Sequence, residues 1–465
     1  MRAGTVNIQD VIAEGCRLTG AFHITEDRLA IATLRKWRGK ASRVEDLVTG
    51  RRVFRGPIFS RRFVDDPALG EPYVSAKDIV NADVSPAGYL SRKHGSLLNE
   101  LRLHEGMILV TCSGMNLGKV IWTRRDLDGL VASHDLIRIE PNSESAPPGY
   151  LHAFLASRYG HALIRKQIYG GNIKHVEPEH ISALLVPRLE RTVEQQAHDL
   201  VTLAAHAGSE ATALFAKANA VLVELLSLPE PKPENKYNSP QAATASASQF
   251  QRRGDGFYYA AQNTDARKAF GSTGNTRTVG EVADVFIPGI FKREYASDPA
   301  FGVPYITGAD VFQLAPTSTQ FLLKRIASGV GLVLRTGMIV IQEAGQLGGL
   351  IGHSALIGDH LDGFACSNNM VRLTAKDADN TGYLFAVLAS TYGQRLISRE
   401  AAGSSIPHIE AGRVRGLAIP WPEKNIRARI GKFVMEASRR RDEAVAANIE
   451  ARRLIEDAIE KGAAN

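Results

Sequence analysis

Each half of this chain contains short, mostly apolar runs that are divided by Gly, Asp and Pro. Each run holds four or five residues, which is the length and punctuation of β-strands. The clearest are Met107–Thr111, Leu136–Ile139, Met338–Gln342 and Met370–Leu373. Each half of the chain also contains one apolar stretch of helical length, Tyr150–Lys166 and Tyr383–Arg399. The pattern predicts a mixed α/β (α+β) fold.

Two longer stretches follow a stricter pattern, in which apolar residues recur in alternating steps of four and three. This heptad period is typical of helices that pair in a coiled coil. Adding 233 to each position of the first set gives the second set, in which Arg440 alone is not apolar. The apolar positions of this seam are Leu200, Ala204, Ala207, Ala211, Leu214, Ala218, Val221, Leu225, Phe433, Ala437, Ala444, Ala447, Ala451, Leu454 and Ala458.

These two stretches admit two interpretations. Each helix covers its own domain as an ordinary amphipathic surface helix, or the two helices pair with one another. A surface helix usually follows a 3.6-residue period with a wider apolar stripe. The strict period, and a length of about 35 residues or roughly 50 Å, favour an antiparallel pair. The Pro-rich, polar segment 229–255 predicts a flexible linker that lets the chain turn back.

The heptads belong to a duplication that extends through the chain. "GPIFSRRFVDDPALGEPYVSAKDI", which begins at Gly56, matches "PGIFKREYASDPAFGVPYITGADV", which begins at Pro288. Four further blocks follow in the same order, with offsets between 231 and 234, such as "YLHAFLASRYG" and "YLFAVLASTYG". A tandem duplication of a unit of about 233 residues is therefore predicted.

Composition narrows the class of protein only slightly. The chain has 465 residues, a net charge of +7 and three cysteines far apart in sequence. The basic balance permits a polyanionic partner without requiring one. The sparse cysteines argue against a disulfide framework, and no apolar segment has the length of a signal peptide or a membrane span. We expect a cytoplasmic protein with no membrane partner.

Enzyme signatures are absent from the sequence. There is no Gly-rich phosphate loop followed by Lys-Ser/Thr, no His-Glu-x-x-His and no nucleophile elbow. His175 and His180 are separated by Pro178 and do not form a metal-binding pair. Asp66-Pro67 and Asp298-Pro299 predict turns, in which Asp accepts a backbone hydrogen bond and Pro fixes φ. We expect a chain that is not an enzyme and that binds no cofactor or metal itself.

The two copies share their apolar and turn-forming positions but differ in their polar stretches. Residues 81–103 and 312–334 have little in common, and residues 116–130 and 347–364 differ even in length. A duplicated enzyme would keep one set of reactive residues in both copies. One scaffold with two different polar surfaces instead suggests a protein that binds two different targets.

Several repeated motifs resemble those of the specificity subunits of type I restriction–modification systems. They are the blocks Gly106–Gly114 and Gly337–Gly345, the two "YL…YG" helices, the Gly-Ser-Ser-Ile-Pro-His-Ile run at Gly403, and "IPWPEKNIRARI" before the second long helix. Each motif alone is weakly specific, but their order, repeated twice with a long helix after each, is specific. One departure is "VPRLERTVEQQ", where Leu189 stands in place of a second Pro.

The resemblance implies a DNA-recognition subunit. Two target-recognition domains would each read half of a split motif in double-stranded DNA, with the two helices fixing the gap. Two methyltransferase subunits would supply S-adenosylmethionine and the catalytic residues, and a motor-nuclease subunit would join for cleavage. The alternative is a pseudo-dimeric nucleic-acid-modifying enzyme with its own active site. The implied segments are residues 1–190 (first recognition domain), 191–228 (first helix), 229–255 (linker), 256–422 (second recognition domain) and 423–463 (second helix).

Candidate DNA contacts follow from residue type, because Lys and Arg bind phosphates while Arg, Lys, Asn and Gln bind base edges. A basic run on the second helix, Arg439–Arg441, is a further candidate for the DNA between half-sites. The candidates in loop-like stretches are Arg61, Arg62, Lys77, Lys119, Arg124, Arg125, Lys174, Lys292, Arg293, Lys324, Arg325, Gln342, Gln346, Ser404 and Ser405.

Overall fold

The computed structural model describes residues 6, 8–13, 27–169, 174–231, 242, 244–250, 253–318 and 320–464. Most of the predicted linker and Cys16 lie outside these residues. The chain divides into two compact units. The first comprises Met1–Val80, Val84–His206 and Ala446–Asn465, and the second Asn81–Asp83 and Ala207–Val445. None of the helices in the described part of the chain is both long and apolar enough to cross a membrane.

The first half of the chain contains six described helices and ten strands. The helices are α1 Ile8–Ala13, α2 Asp27–Lys36, α3 Pro148–Ala156, α4 Arg158–Lys166, α5 Pro178–Ser182 and the long α6 Arg191–Leu225. The strands are β1 Ala41–Arg43, β2 Val48–Arg55, β3 Phe63–Val64, β4 Gly70–Val74, β5 Gly88–Ser91, β6 Ile108–Thr111, β7 Val120–Trp122, β8 Val131–Ala132, β9 Leu136–Pro141 and β10 Leu185–Pro187.

The second half repeats this order. Its described helices are α7 Ala247–Phe250, α8 Ala261–Gly271, α9 Val279–Val282, α10 Lys324–Gly329, α11 Thr381–Ala389, α12 Thr391–Arg399, α13 Ala411–Arg415 and the long α14 Lys424–Ala464. Its strands are β11 Thr276–Thr278, β12 Ala283–Phe286, β13 Gly302–Ile306, β14 Gln320–Leu323, β15 Ile339–Gln342, β16 Ser354–Leu356, β17 Ala365–Cys366, β18 Met370–Ala375 and β19 Ala418–Pro420.

Equivalent strands form equivalent sheets in the two units. The antiparallel main sheet has the order β2-β9-β6-β7 in the first unit and β12-β18-β15-β16 in the second. A smaller sheet has the order β3-β5-β4-β8 in the first and β14-β13-β17 in the second, with one parallel pair each, β4–β8 and β13–β17. A two-stranded ribbon, β1–β10 or β11–β19, precedes each long helix. The predicted mixed α/β fold and its duplication are confirmed.

The predicted helix Tyr150–Lys166 is in fact two helices, α3 and α4, and the same is true of α11 and α12. Ser157 ends α3 in an extended conformation and caps α4, its hydroxyl accepting a hydrogen bond from the Gly160 N–H at 3.3 Å. Ser390 does the same for α12 with Gly393 at 3.1 Å. Serine competes for backbone hydrogen bonds and therefore favours helix N-termini over helix interiors.

The repeated Gly-Tyr pair joins this helical hairpin to the long helix of the same copy. A Cβ on Gly149 would lie 2.8 Å from the Cα of His198, and a Cβ on Gly382 would lie 2.5 Å from the carbonyl oxygen of Gly431. Glycine is therefore required for this approach of backbones. The following tyrosine is buried, and Tyr383 donates to the Pro420 carbonyl at 2.7 Å, as Tyr150 does to its equivalent proline.

The two long helices run antiparallel where they meet in the second unit. Glu210 on α6 forms an ion pair with Arg440 on α14, and Lys217 lies 4.7 Å from the Phe433 ring centroid. Seven residues forward on α6 therefore correspond to seven residues back on α14. The predicted antiparallel pairing is confirmed.

Both helices also bury a face against the globular part of each unit. Ile455 and Ile459 of α14 are fully buried in the core of the first unit, while Ile430 and Val434 lie in the core of the second. The heptad pattern did not reveal these positions, so both interpretations of the helices hold at once. Among the seam positions, nine are buried, while Leu200, Leu214, Leu225, Phe433, Leu454 and Ala458 are half-buried.

Candidate nucleic-acid interface

A loop held against the small sheet presents basic side chains in the first unit. It runs from Ile58 to Arg62 and joins β2 to β3. The Phe59 ring stacks near His94, with centroids 4.8 Å apart, and the Arg62 N–H donates to Nε2 of the same histidine at 3.1 Å. Arg61 Nη1 donates to the Tyr73 hydroxyl at 2.7 Å. The loop therefore holds a defined position in which Arg61 and Arg62 are exposed.

The second unit builds the same loop with different polar residues. Arg293, the equivalent of Arg61, lies close to Tyr305, and its interaction with this tyrosine raises the pKa of the guanidinium above its ordinary value. Phe291 packs on Tyr305, with ring centroids 6.4 Å apart. Lys292 replaces Ser60, and Glu294 replaces Arg62. The anchor is shared, while the charges around it are not.

The segment after β5 or β14 adds to this basic surface. In the first unit, Arg92 donates to Glu71 at 3.0 Å and to the carbonyl of Ala68 at 2.6 Å. In the second unit, Arg325 contacts Glu294 at 2.5 Å and Lys324 is exposed. We call the surface formed by residues 58–62, 67–69 and 91–94 the first edge, and that formed by residues 290–294, 299–301 and 323–325 the second edge.

Six of the candidate residues fall on these two edges. Arg61 and Arg62 lie on the first, and Lys292, Arg293, Lys324 and Arg325 lie on the second. All six side chains are exposed, and they remain predicted DNA contacts. At the second edge Glu294 contacts both Lys292, at 3.6 Å, and Arg325. This carboxylate offsets part of the positive charge there.

A second group of candidates lies where the β6–β7 or β15–β16 connection meets the segment after the helical hairpin. Ser113 forms a β-bridge with His175, next to Lys174. In the second unit the Gly345 N–H donates to the Pro407 carbonyl at 3.2 Å, so the segment that carries Gln346 lies beside the segment that carries Ser404 and Ser405. The structure thus groups Lys174 with the loop that carries Lys119, and Gln346 with the two serines. These residues also remain predictions, as do the exposed Lys77 and Arg125.

Two candidates are poorly placed for DNA contact. Arg124 is buried and pairs with Asp126 through two contacts of 2.8 and 3.0 Å. Its guanidinium stabilises the turn before β8. Arg124 is therefore not placed to contact DNA. Gln342 is half-buried, and its amide donates to the Ala344 carbonyl at 2.8 Å, which turns it away from solvent. Residue type alone could not separate these side chains from the exposed ones.

The basic run on α14 pairs with acids. Arg439 contacts Glu436 at 2.5 Å, and Arg440 contacts Glu210, Glu436 and Glu443 within 3.3 Å. Arg441 lies over the Phe215 ring at 4.8 Å and is mostly buried. Arg440 and Arg441 therefore contact the other long helix, whereas Arg439 pairs with an acid of its own helix. These contacts do not support a role of the run on DNA.

A pair of buried arginines was missed in the sequence. Arg138 on β9 and Arg372 on β18 are fully buried, and each donates only to backbone carbonyls. The Arg138 carbonyl partners are Leu136, Leu101, Ala132 and Ser133, and those of Arg372 are the equivalents Met370, Leu332, Cys366 and Ser367. Burial lowers the pKa of both to about 10, so both stay charged at neutral pH. The signal was an arginine inside an apolar strand, at one position in both copies.

The two Asp-Pro pairs form turns, as predicted. The Asp66 carboxylate accepts from the Ala68 N–H at 2.9 Å, and Asp298 accepts from Ala300 at 2.8 Å. Within the described residues no three His, Cys, Asp or Glu side chains come together as a metal site would require. Cys112 and Cys366 are buried, and burial raises the pKa of their thiols to about 11 and about 12. Both thiols are therefore protonated at neutral pH.

Two copies of one scaffold, each with a sheet edge bearing its own set of cations, define a tandem two-domain architecture. No family model and no curated protein matches the chain. Several solved structures are similar to it, among them the following three. The S subunit of a type I restriction–modification system from M. genitalium is 11% identical with a TM-score of 0.36, and the match covers 92% of this chain and 96% of that one. The HsdS subunit from Thermoanaerobacter tengcongensis is 16% identical with a TM-score of 0.28, covering 91% and 96%. A chain from a structure of complex assembly and conformational transition in the type I R-M system is 15% identical with a TM-score of 0.27, covering 92% and 97%.

Proposed function

We propose that this chain is the sequence-specific DNA-recognition subunit of a type I restriction–modification complex. The observation that carries the proposal is the difference between the two edges. In both, an arginine lies beside the equivalent tyrosine: Arg61 donates a hydrogen bond to Tyr73, and Arg293 interacts with Tyr305. Yet Ser60 and Arg62 of the first edge correspond to Lys292 and Glu294 of the second. A shared scaffold with different charges suits two domains that each read a different half of a split site.

The cations of the edges supply the sequence-independent part of this binding. Exposed Lys and Arg side chains neutralise DNA phosphates and release counterions, which gives affinity and orientation. The anchored loops hold these cations on rigid elements, so that neighbouring side chains meet base edges in a fixed register. Hydrogen bonds that distinguish one base from another then come from the polar residues that differ between the two edges.

The antiparallel helices α6 and α14 act as the spacer between the two half-sites. Their contacts through Glu210–Arg440 and Lys217–Phe433 hold one helix in register with the other. Such a pair is stiff along its axis, so its length fixes the gap in the DNA motif. The methyltransferase subunits bring S-adenosylmethionine and the methyl-transfer chemistry, and a motor-nuclease subunit adds cleavage.

The experiment that tests this function is methylome sequencing of cells with and without the gene. A split adenine-methylation motif should disappear with the gene and return on complementation. Replacing residues 256–420 by the matching region of a relative should change one half of the motif and leave the other. An unchanged methylome would contradict the proposed function. Titration of the isolated chain with S-adenosylmethionine should show no binding, and saturable binding would favour the enzyme alternative.

A further inference from the structure

Each edge carries an isoleucine that projects into solvent. Ile58 is 76% exposed and Ile290 is 94% exposed, and the two occupy equivalent positions 232 residues apart. In both copies the next residue is a phenylalanine that packs into the small-sheet core. The repeated Ile-Phe pair therefore has one residue that builds the scaffold and one that does not.

A second apolar pair lies on the same edges. Leu69 is 60% exposed and Phe301 is 67% exposed, each at the end of the turn that begins with Asp-Pro. In the first unit this turn is tied to the basic segment, because the Ala68 carbonyl accepts a hydrogen bond from Arg92. Single exposed apolar residues are common on protein surfaces. Here, however, exposed apolar residues occupy equivalent positions on both edges, although the polar residues around them differ. Their exposure therefore suggests a function.

The charges around these isoleucines indicate what covers them. Arg61 and Arg62 follow Ile58 within four residues, and Lys292 and Arg293 follow Ile290 within three. All four basic side chains are exposed. A surface that combines an apolar projection with flanking cations complements duplex DNA, in which base edges lie between two phosphate backbones.

We propose that Ile58 and Ile290 contact bases of duplex DNA while the neighbouring cations hold the phosphates on either side. This inference rests on the proposed function. The apolar contact is made either with a thymine methyl group in the major groove or with a base step that is partly unstacked from the minor groove. Both use the same chemistry, which is burial of the isoleucine side chain against a base.

The test uses the full chain assembled with its methyltransferase partner, and a duplex that carries the motif found by methylome sequencing. The variants are Ile58→Ala, Ile290→Ala and the control Leu185→Ala, which removes a side chain that is 57% exposed on β10, away from the edges. We expect each isoleucine variant to weaken specific binding by roughly ten- to fiftyfold, because about three carbon atoms are no longer buried. The control should bind like the unmodified chain. Each isoleucine variant should also relax only its own half of the methylated motif.

Salt dependence separates this role from a phosphate contact. Loss of an apolar contact leaves the slope of log affinity against log salt unchanged, whereas loss of a phosphate-binding cation reduces it by about one. A changed slope in Ile290→Ala would overturn the proposal. So would wild-type affinity and an unchanged motif in both variants. Variants that bind DNA normally but no longer co-purify with the methyltransferase would assign the isoleucines to a protein interface and would also overturn it.

Two further measurements distinguish the two kinds of base contact. Replacing each thymine of the motif by deoxyuridine removes only its methyl group, and a methyl contact predicts that one such change mimics the alanine variant. A base-step contact predicts no effect of deoxyuridine, but a loss of DNA bending when the isoleucine is truncated, measured by energy transfer between the duplex ends. If the unmodified complex has no split motif, the proposed function fails. If the unmodified complex has a split motif, and both alanine variants methylate the same motif and bind it with full affinity, only this inference fails.

Discussion

The Arg440 guanidinium on α14 lies 3.2 Å from the Glu210 carboxylate on α6, at the one position where the heptad seam is not apolar. Both side chains are partly exposed, and Arg440 also contacts Glu436 and Glu443. Ion pairs of this kind contribute little free energy, commonly 0–1 kcal/mol. Their geometry does, however, define which turns of the two helices face each other.

Seam mutations should separate packing from charge. Ala211 is 1% exposed, so Ala211→Leu should overpack the helix pair and reduce the free energy of unfolding by roughly 1–3 kcal/mol. Arg440→Leu should change it by less than about 1 kcal/mol, because a weak ion pair is exchanged for an apolar seam residue. Urea denaturation followed by circular dichroism measures both. A larger loss in Arg440→Leu than in Ala211→Leu would contradict this account of the seam.

Matched heptad insertions should lengthen the gap of the DNA motif. Seven residues after Ala211 and seven after Ala444 keep the antiparallel register, since each helix gains one heptad. Each helix gains about 10 Å, or roughly three base pairs at 3.4 Å each. DNA turns by about a third of a helical turn over that length. We therefore expect a gap longer by a few base pairs, or weakened methylation with partner binding intact.

The control for that experiment is a single insertion in only one helix. It shifts the seam of one helix against the other and should destabilise the pair. An unchanged gap at full methylation in the matched double insertion would show that the helices are not the spacer.

Acid should weaken the contact between Asp442 and His360. Burial alone would raise the pKa of Asp442, but the side-chain and backbone hydrogen bonds from His360 lower it below its ordinary value. The folded state therefore favours the ionised carboxylate. This stabilisation is fully present above the unfolded-state pKa of about 3.9 and is lost as pH falls through the lower folded-state pKa.

Asp442→Asn should accordingly lower the free energy of unfolding at pH 7 by roughly 1–3 kcal/mol. Its stability should also decline less steeply than that of the unmodified chain below about pH 5. Asp457→Asn, on the same helix but half-exposed, is the control and should have little effect. Parallel pH profiles for Asp442→Asn and the unmodified chain would argue against the contact.

The buried arginines should be among the most sensitive positions of the fold. Arg372→Met leaves the carbonyls of Met370, Leu332, Cys366 and Ser367 without this donor and should cost roughly 1–3 kcal/mol for each carbonyl left unpaired. Arg372→Lys should also destabilise, because an ammonium cannot reproduce the planar fork of a guanidinium. Arg125→Met, at an exposed site, is the control. Chemical denaturation gives the comparison, and a tolerated Arg372→Met would show that the carbonyls find other partners.

Binding of DNA should depend on salt through the cations of the two edges. Arg293→Gln should weaken binding to all sequences alike and reduce the slope of log affinity against log salt by about one. Arg453→Gln is the control, because Arg453 is exposed on α14 and contacts Glu450 at 2.8 Å. Fluorescence anisotropy between about 50 and 200 mM salt covers the range in which the slope is measured. Equal slopes for Arg293→Gln and the unmodified complex would remove Arg293 from the phosphate contacts.

Much of the architecture could be predicted from the sequence, because it depends on periodicity. Runs of four or five residues between turn residues located the central strands of both main sheets, and the offset between copies predicted that both halves share one topology. The heptads predicted the helix pair, since a period of 3.5 residues holds one face against a partner. The Asp-Pro turns followed from local chemistry, in which a carboxylate accepts a hydrogen bond two residues further along the chain.

The candidate site was only partly predictable, because exposure depends on contacts between residues distant in the sequence. Arg61 and Arg124 both looked like loop cations, but Arg61 is exposed at the first edge while Arg124 is buried against Asp126. Ile58 belongs to the apolar positions that the two copies share and is exposed, whereas Arg138 is a charged residue and is buried.

The sequence by itself determined the duplicated topology and the pairing of the long helices, since these depend on repeating apolar positions. Tertiary structure alone decided which side chain of a repeated pair, such as Ile-Phe, faces the core. It also decided that α6 and α14 bury a second face beyond the seam, through residues such as Leu222 and Ile455. The reason is physical: a side chain is buried when residues far away in the chain pack on it, and a single helical or strand period does not encode which residues those are.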